Sequence, residues 1–348
     1  MESKPSPLRV AAVVAFYMGA ALVMVFVNKA VLNSSPTLPL LFLFVQLIMA
    51  VALLHISALA SPKIEIPRME LLTAKKLTPV VLINIIGLVF NMLCLRDVEA
   101  SFFQIARGLV LPFTIAISSL STRVTPTAQV VISASIVMVG FFIGVVPERT
   151  LPVTSTPSLL SLFYGLLSSV FISIHAVLIK SSLPYCNNST IQLAYWTNIG
   201  SAGFLAPFIL LTGEPFKLLE LISDPERTMT TFIWGSIVTG VFGFLLCVAG
   251  LLSIKVTSPV THMFSSAARS VLQTLLGVWL FQDVLTINRV VSIGTILAGT
   301  MYYTWLKSAQ AATPPLRPVD LEALGNRGEL KDEEEVLWQA PEKVDDRE

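Results

Sequence analysis

The chain has 348 residues, of which 54 % are hydrophobic and 13 % charged, and its mean hydropathy is +0.77. Soluble proteins carry about 25 % charged residues, so this composition excludes a soluble globular protein and indicates a membrane protein with several spans. The net charge of +1 conceals an uneven distribution. Residues 310–348 hold 5 basic and 11 acidic residues, and the rest of the chain holds 18 basic and 11 acidic ones.

In chain order, ten windows are long and apolar enough for a transmembrane helix, which needs about 20 apolar residues. Short polar breaks with charged residues separate neighbouring windows. Arg96-Asp97 lies between the third and the fourth window, and Gln282-Asp283 lies between the ninth and the tenth. We therefore predict an all-α polytopic membrane protein with ten transmembrane helices. The windows are 10–31, 38–60, 78–97, 99–122, 124–146, 158–180, 191–212, 230–252, 258–281 and 283–306.

These windows divide the chain into four parts. Residues 1–9 form a short N-terminus, 10–147 a first group of five helices, 158–308 a second group of five, and 309–348 an acidic tail. The tail cannot bury enough apolar surface to order itself, so we expect a disordered segment that either solvates the protein or binds a partner. The distribution of lysine and arginine among the short loops predicts that both termini are cytosolic.

Two arginines lie well inside predicted helices, Arg107 in the fourth window and Arg269 in the ninth. An arginine near the bilayer centre costs about 2.5–3.5 kcal/mol on insertion scales, and it cannot lose its proton to avoid that cost. Each could pair with a backbone carbonyl or a helix-end carboxylate such as Glu99, or snorkel to the interface. Because neither helix contains an acidic residue, an anionic substrate is the partner we expect.

Polar side chains accompany both arginines. Those near Arg269 recur at helical spacing on one face, and such a stripe should line a cavity because facing lipid would be costly. A weaker stripe surrounds Arg107. A third stripe opens the seventh window, where the aromatic rings could stack on a base or belong to the interfacial belt. The predicted substrate-binding residues are Lys29, Gln104, Arg107, Tyr195, Asn198, His262, Ser265, Ser266, Arg269 and Gln273.

Motifs for catalysis and metal binding are missing from the sequence. It contains no nucleophile elbow, HExxH, P-loop or pair of carboxylates inside the apolar windows, and its three cysteines are scattered. We therefore expect no enzymatic activity, no cofactor, no metal site and no nucleic-acid partner. A membrane regulator without transport and an exporter of small organic solutes are the rival functions. The regulator would not need polar stripes on two corresponding helices, and the two arginines would hinder the exporter because they favour anions.

A short internal similarity relates the two groups of helices. Residues 100–107 (ASFFQIAR) echo residues 262–269 (HMFSSAAR), so the fourth and ninth helices correspond if the chain is a five-plus-five repeat. An odd number of helices in each repeat gives the halves opposite topology. Such inverted repeats place a substrate near the bilayer midplane, between the repeats.

Four stretches resemble the nucleotide-sugar and triose-phosphate branch of the drug/metabolite transporter superfamily. They are 25–29 (VFVNK), 90–96 (FNMLCLR), 103–107 (FQIAR) and 255–262 (KVTSPVTH). The likeness is strongest to GDP-fucose transporter-like proteins. It implies the ten-helix fold of that superfamily, with five-plus-five inverted repeats, and a multi-pass antiporter of the Golgi membrane, or alternatively of the ER membrane. The cytosolic substrate would be a nucleotide sugar such as GDP-fucose, exchanged for lumenal nucleoside monophosphate by alternating access.

The resemblance also implies roles for particular residues. GDP-mannose carriers contact the base through an FYNN motif and the phosphate and sugar through a GALNK motif; residues 195–198 (YWTN) and 265–269 (SSAAR) stand at those positions here. Arg107 and Arg269 would neutralise the diphosphate, Lys29 would act at a gate, and the other predicted residues would meet the base or the sugar phosphate. A UDP-sugar such as UDP-galactofuranose and a triose-phosphate type of organic anion are alternative substrates. The remaining expected partners are the lipid bilayer and a second copy of the chain in a homodimer.

Overall fold

The computed structural model describes residues 7–61, 64–146, 158–223, 228–256 and 259–312. Inside these ranges, the side chains of 247–267 and of a few residues near helix ends are not described. All regular elements in the described part are helices, and eight spans are long and apolar enough to cross a membrane. The chain is therefore an all-α polytopic membrane protein.

Twelve α-helices follow one another in the described part of the chain. They are α1 (Pro7–Ser34), α2 (Pro39–Ala60), α3 (Leu71–Asp97), α4 (Ala100–Gly108), α5 (Val110–Thr122), α6 (Ala128–Val145), α7 (Leu159–Ser182), α8 (Thr190–Leu211), α9 (Glu214–Ser223), α10 (Thr228–Val256), α11 (Pro259–Phe281) and α12 (Ile287–Ala312). A 3-10 turn, Leu183–Cys186, joins α7 to α8.

The eight apolar spans match the first eight predicted windows. The fourth span comprises α4 and α5 together. At the ninth and tenth windows stand α11 and α12, with 23 and 26 residues; that they cross the membrane remains a prediction. The window for α3 began too late, because Lys75 and Lys76 interrupt the apolar run while the helix itself starts at Leu71. The short helix α9 was not predicted.

Local sequence signals set several helix ends. Ser158 and Ser189 precede α7 and α8, and each hydroxyl accepts a hydrogen bond from the amide three residues later, at 3.1 and 3.3 Å. Such N-caps satisfy donors that the first helical turn leaves unpaired. Beyond α8, Gly213 adopts a φ of +69°, which favours glycine and turns the chain into α9.

Long helices from the two halves of the sequence pack side by side. The most extensive pairs are α6 with α12, α3 with α7, and α1 with α10; α2 packs against α8 and α10, and α3 also packs against α8. Glycines bring α6 and α12 together: a Cβ on Gly140 would lie 2.9 Å from the Ile296 nitrogen, and the Ser292 hydroxyl donates to the Gly140 carbonyl at 2.7 Å. Small residues at such contacts drive helix association in membranes.

The short helix α4 lies inside this bundle. Phe102, Phe103 and Ile105 are almost completely buried, and α4 contacts α11, α12, α6 and α7. The first turns of α4 are therefore part of the hydrophobic core, and this anchoring fixes the position of the arginine that follows.

Candidate functional site

The fourth span is broken two residues after Arg107. α4 ends at Gly108 and α5 begins at Val110, with Leu109 between them. Pro112 has no backbone N–H, so the Gly108 carbonyl loses the donor that an unbroken helix would supply. Discontinuous membrane helices recur at the binding sites of transporters, because they bring polar backbone groups into the bundle.

Serine hydroxyls of α7 contact the carbonyls on both sides of this break. Ser169 donates to the Ala106 carbonyl at 2.9 Å, and Ser173 shares its proton between the Val110 carbonyl at 2.9 Å and the Ser169 carbonyl of its own helix at 2.7 Å. Both serines are almost fully buried. Gly165 continues this face of α7, where an added Cβ would lie 3.0 Å from the Ala106 Cβ. The face of α7 formed by Gly165, Ser169 and Ser173 therefore fits the broken helix closely.

Arg107 stands in the last turn of α4, directly before the break. Many protein atoms lie around this side chain, and yet it keeps an exposed surface. Its guanidinium carbon lies 5.7 Å from the centroid of the Phe103 ring, one turn earlier in α4.

Arg269 approaches the same place from α11. It is half-buried, and it lies close enough to Arg107 for the two positive charges to repel one another. The guanidinium carbon of Arg269 lies 5.9 Å from the ring centroid of Tyr17 in α1, within the range of a cation–π contact. Two cations held near each other inside a low-dielectric bundle favour the binding of an anion.

Two glutamines hold the arginine-bearing helices together. Gln104 of α4 donates to the Ser270 hydroxyl of α11 at 2.8 Å, and Gln273 of α11 donates to the Ala100 carbonyl at 3.3 Å. Gln273 is almost fully buried, whereas Gln104 is half-buried. Both glutamines were predicted to contact substrate; the contacts that the structure describes for them connect α4 to α11.

The acidic residues nearest to these helices in sequence have other partners. Glu99, considered above as a partner for a buried arginine, forms an ion pair with Arg289 of α12. A carboxylate oxygen of Asp283 accepts a hydrogen bond from the Ser101 amide at 3.0 Å, at the start of α4. Among the described side chains no ion pair joins Arg107 to a carboxylate.

Lys29 bonds to the end of α3. Its ammonium group donates to the carbonyls of Leu95 and Arg96, at 2.9 and 3.0 Å, and only 7 % of the residue is exposed. Lys29 therefore connects α1 to the last turn of α3, whose carbonyls have no donor within their own helix. In the same part of α1, the Phe26 ring stacks on Phe281 of α11 with centroids 6.0 Å apart.

The predicted base-binding residues of α8 contact α2 and their own helix. The Tyr195 ring meets His55 edge-on with centroids 5.4 Å apart, and the Asn198 amide donates to the Ala194 carbonyl at 2.8 Å. Trp196 belongs to a different apolar cluster, with residues of α3 such as Leu77. The side chains of His262, Ser265 and Ser266 lie outside the described residues, so their part in the site remains a prediction.

Sequence reasoning missed Tyr17, Ser169 and Ser173. Tyr17 offered a usable signal, because it is an aromatic residue with a polar tip within the first apolar window and away from its ends. The serines offered little, since Ser and Thr are common in membrane helices and commonly bond to their own backbone. Within the described residues no group of three or more His, Cys, Asp or Glu side chains could hold a metal ion.

The fold and the site define a polytopic membrane protein that gathers positive charge inside a helical bundle. The chain belongs to the Triose-phosphate Transporter family, whose family model matches residues 8–304. This match covers most of the chain and confirms the resemblance to the drug/metabolite transporter superfamily. It identifies a membrane transporter and not an enzyme.

Several proteins that are similar to this chain are named as nucleotide-sugar transporters. The chain is 28 % identical to GDP-fucose transporter 1 of Dictyostelium discoideum over 302 residues, covering 85 % of this chain and 80 % of that protein. It is 26 % identical to the GDP-fucose transporter, Golgi, of Drosophila melanogaster over 314 residues, covering 87 % and 91 %. It is 28 % identical to UDP-galactose/UDP-glucose transporter 7 of Arabidopsis thaliana over 329 residues, covering 93 % and 97 %. These names support nucleotide-sugar transport.

Proposed function

We propose that this chain is a nucleotide-sugar antiporter of the Golgi or ER membrane. It would carry a cytosolic nucleotide sugar resembling GDP-fucose inward and return nucleoside monophosphate from the lumen by alternating access. The observation that carries the proposal is the proximity of Arg107 and Arg269, contributed by two different helices inside the bundle. The names of relatives from Dictyostelium discoideum and Drosophila melanogaster support the choice of substrate and of compartment.

The charges of this site suit a diphosphate. Two arginines near the bilayer centre cost about 5–7 kcal/mol on insertion scales, and a bound diphosphate would offset that cost because guanidinium groups bind phosphate oxygens in a bidentate way. A nucleoside monophosphate carries similar negative charge and could occupy the same arginines on the return path. Exchange of the two anions therefore needs no ion gradient.

The packing of the helices supports ten spans in two inverted repeats of five. If α4 with α5 counts as one span and α9 as none, α1 corresponds to α7, and α10 corresponds to α3. Under this correspondence, the packed pair α1–α10 is equivalent to the packed pair α7–α3. The pair α2–α10 is likewise equivalent to the pair α8–α3. The same operation pairs α4, with Arg107, and α11, with Arg269, as equivalent helices. A substrate between the two arginines would lie on the axis that relates the repeats.

Lys29 would act at the lumenal gate. With a cytosolic N-terminus, the end of α1 that carries Phe26 and Lys29 is the lumenal end. There, Lys29 bonds to the end of α3 and Phe26 stacks on Phe281 of α11. These contacts would separate whenever the site opens to the lumen, so they would influence the rate of exchange more than the affinity for substrate.

A UDP-sugar carrier is the second candidate function. It is favoured by the similarity to UDP-galactose/UDP-glucose transporter 7 of Arabidopsis thaliana, which extends over 93 % of this chain. The family name also makes a phosphate-ester exchanger of the triose-phosphate type a candidate. All three functions use the arginine pair and differ in what surrounds the phosphate.

Counter-exchange in liposomes separates these functions. Purified protein is reconstituted into vesicles preloaded with GMP, UMP or inorganic phosphate, and uptake of labelled GDP-fucose, GDP-mannose, UDP-galactose and triose phosphate is measured. The proposal predicts uptake of GDP-fucose that requires internal GMP. Uptake that requires UMP would select the UDP-sugar alternative, and no uptake of any nucleotide sugar would contradict the proposal.

A further inference from the structure

Helix α9 divides its surface into three sectors. The ten residues of Glu214–Ser223 read EPFKLLELIS, and successive side chains are separated by about 100° around a helix axis. One sector faces the protein, a second exposes apolar side chains, and a third exposes charged ones. A helix on the surface of a soluble protein needs a sector that faces the protein and a charged sector that faces water. It does not need a sector of exposed apolar side chains.

The inner sector attaches α9 to the start of α2. The Glu214 carboxylate is almost fully buried and accepts hydrogen bonds from the amides of Leu40 and Leu41, at 3.3 and 2.6 Å. Leu218 and Leu221, on the same side, pack against the hydrophobic core. α9 is therefore held in one orientation on the bundle, which fixes the direction of its other two sectors.

The second sector exposes large apolar side chains at helical spacing. Phe216, Leu219 and Ile222 are 69 %, 61 % and 54 % exposed, although side chains of this size usually bury most of their surface in a folded protein. Large exposed apolar side chains also lie on the two apolar spans that contact α9, at Leu211 at the end of α8 and Trp234 near the start of α10. The exposed apolar side chains of α9 therefore stand next to helices that are long and apolar enough to cross a membrane.

The third sector carries opposite charges. Lys217 and Glu220 are both exposed, and they lie between the inner sector and the apolar one around the helix. A charged edge beside an apolar edge is the arrangement of an amphipathic helix that lies along a membrane surface.

We propose that α9 lies in the plane of the membrane, with Phe216, Leu219 and Ile222 inserted among lipids at the boundary between headgroups and acyl chains. Lys217 and Glu220 face the headgroups and water, and Glu214 attaches the helix to α2. The partner of the apolar sector is the lipid bilayer and not a second protein, because α9 packs against two apolar spans, α8 and α10, that themselves expose large apolar side chains. The inference is independent of the transported substrate.

Spin labelling tests this orientation in reconstituted protein. Single cysteines replace Phe216, Leu219 and Ile222, and, as matched controls on the same helix, Lys217 and Glu220, in a background with Cys94, Cys186 and Cys247 changed to alanine. Nitroxide collision rates with oxygen, which partitions into lipid, and with a water-soluble nickel chelate are then measured in liposomes. The oxygen-to-nickel ratio is expected to be at least several-fold higher at the three apolar positions than at Lys217 and Glu220.

Two outcomes would overturn the proposal. If the oxygen-to-nickel ratio is the same in the apolar and the charged sector, α9 lies in water. If both reagents collide rarely with the apolar positions and the labels show dipolar broadening, a second copy of the chain covers the apolar sector. If the cysteine-free background does not fold, hydroxyl-radical footprinting of the wild-type chain replaces it. In that experiment, the proposal predicts that Phe216 in nanodiscs reacts less with hydroxyl radicals than Phe216 in the unfolded chain. Tyr185, which is 48 % exposed in the α7–α8 connection, serves as the reactive control. Equal labelling of Phe216 in nanodiscs and in the unfolded chain would contradict the proposal.

Discussion

The Ser169 hydroxyl of α7 donates a 2.9 Å hydrogen bond to the carbonyl of Ala106, the residue immediately before Arg107. This contact supports one side of the break in the fourth span, and Ser173 supports the other. A side chain next to a helix break depends on such contacts for its orientation, because the backbone there lacks the full set of helical hydrogen bonds.

Replacing Ser169 with alanine should therefore weaken substrate binding. A lost hydrogen bond of this kind costs about 0.5–1.5 kcal/mol, so we expect KM for the nucleotide sugar to rise about two- to tenfold with little change in the maximal rate. Initial rates of exchange in liposomes measure both quantities. Ser133→Ala is the matched control, since Ser133 is equally buried but donates within its own helix, to Val130. An equal rise in KM in both variants would contradict the positioning role.

The ring of Tyr17 should restrain Arg269. Cation–π contacts contribute about 0.5–2 kcal/mol, so Tyr17→Ala should raise KM several-fold, while Tyr17→Phe, which keeps the ring, should raise KM less. Phe16→Ala provides the control, because Phe16 is the neighbouring aromatic residue and is 47 % exposed. Competition assays with unlabelled nucleotide sugar measure the effect. If Tyr17→Phe is as impaired as Tyr17→Ala, the ring contact is not the cause.

Lys29 should affect turnover more than affinity. Lys29→Met removes both hydrogen bonds to the end of α3 but leaves the arginine pair intact. We expect a lower maximal exchange rate with KM within about twofold of the wild type, which corresponds to less than 0.5 kcal/mol, and partial recovery in Lys29→Arg. A large rise in KM with an unchanged maximal rate would place Lys29 in the binding site instead of at a gate.

Glu214 should make the stability of the protein depend on pH. Burial raises the pKa of this carboxyl above its ordinary value of 4.5, although the amides of Leu41 and Leu40 partly oppose that shift. A raised pKa in the folded state means that the contribution of Glu214 to stability is fully present below pH 4.5 and declines as pH rises through the folded-state pKa. Melting temperatures of the wild type and Glu214→Gln, measured from pH 4 upward in detergent, should therefore differ by an amount that changes with pH. A constant difference would contradict this account of the contact between α9 and α2.

Much of the fold could be predicted from the pattern of apolar residues. Runs of about 20 such residues have few alternatives to a membrane helix, and eight of the ten windows coincide with apolar spans. The start of α3 was wrong because helices continue beyond the apolar segment when the charged residues, here Lys75 and Lys76, are good helix formers. The helix α9 was missed because ten residues with three charges give no membrane signal.

The candidate site was less predictable. The arginines could be found because their charge is costly in a membrane, but the sequence could not show that Gln104 and Gln273 bond across to the opposite helix. Those contacts depend on how α4 and α11 cross. The break after Arg107 was missed for a similar reason: proline is tolerated inside membrane helices, and α3 and α8 continue past Pro79 and Pro207. Pro112 removes one helical hydrogen bond, but the chain breaks at Leu109 where it also packs against α7, and that packing is not visible in the sequence.

Counter-exchange by the Arg269→Ala variant tests the anion site most directly. Vesicles preloaded with GMP are challenged with labelled GDP-fucose, using wild type, Arg269→Ala, Arg269→Lys and the control Arg68→Ala, which removes an exposed arginine from the connection between α2 and α3. We predict that Arg269→Ala inserts at normal abundance but loses exchange, that Arg269→Lys retains part of it, and that Arg68→Ala matches the wild type. Normal exchange by Arg269→Ala would show that the transported anion does not depend on the positive charge of α11.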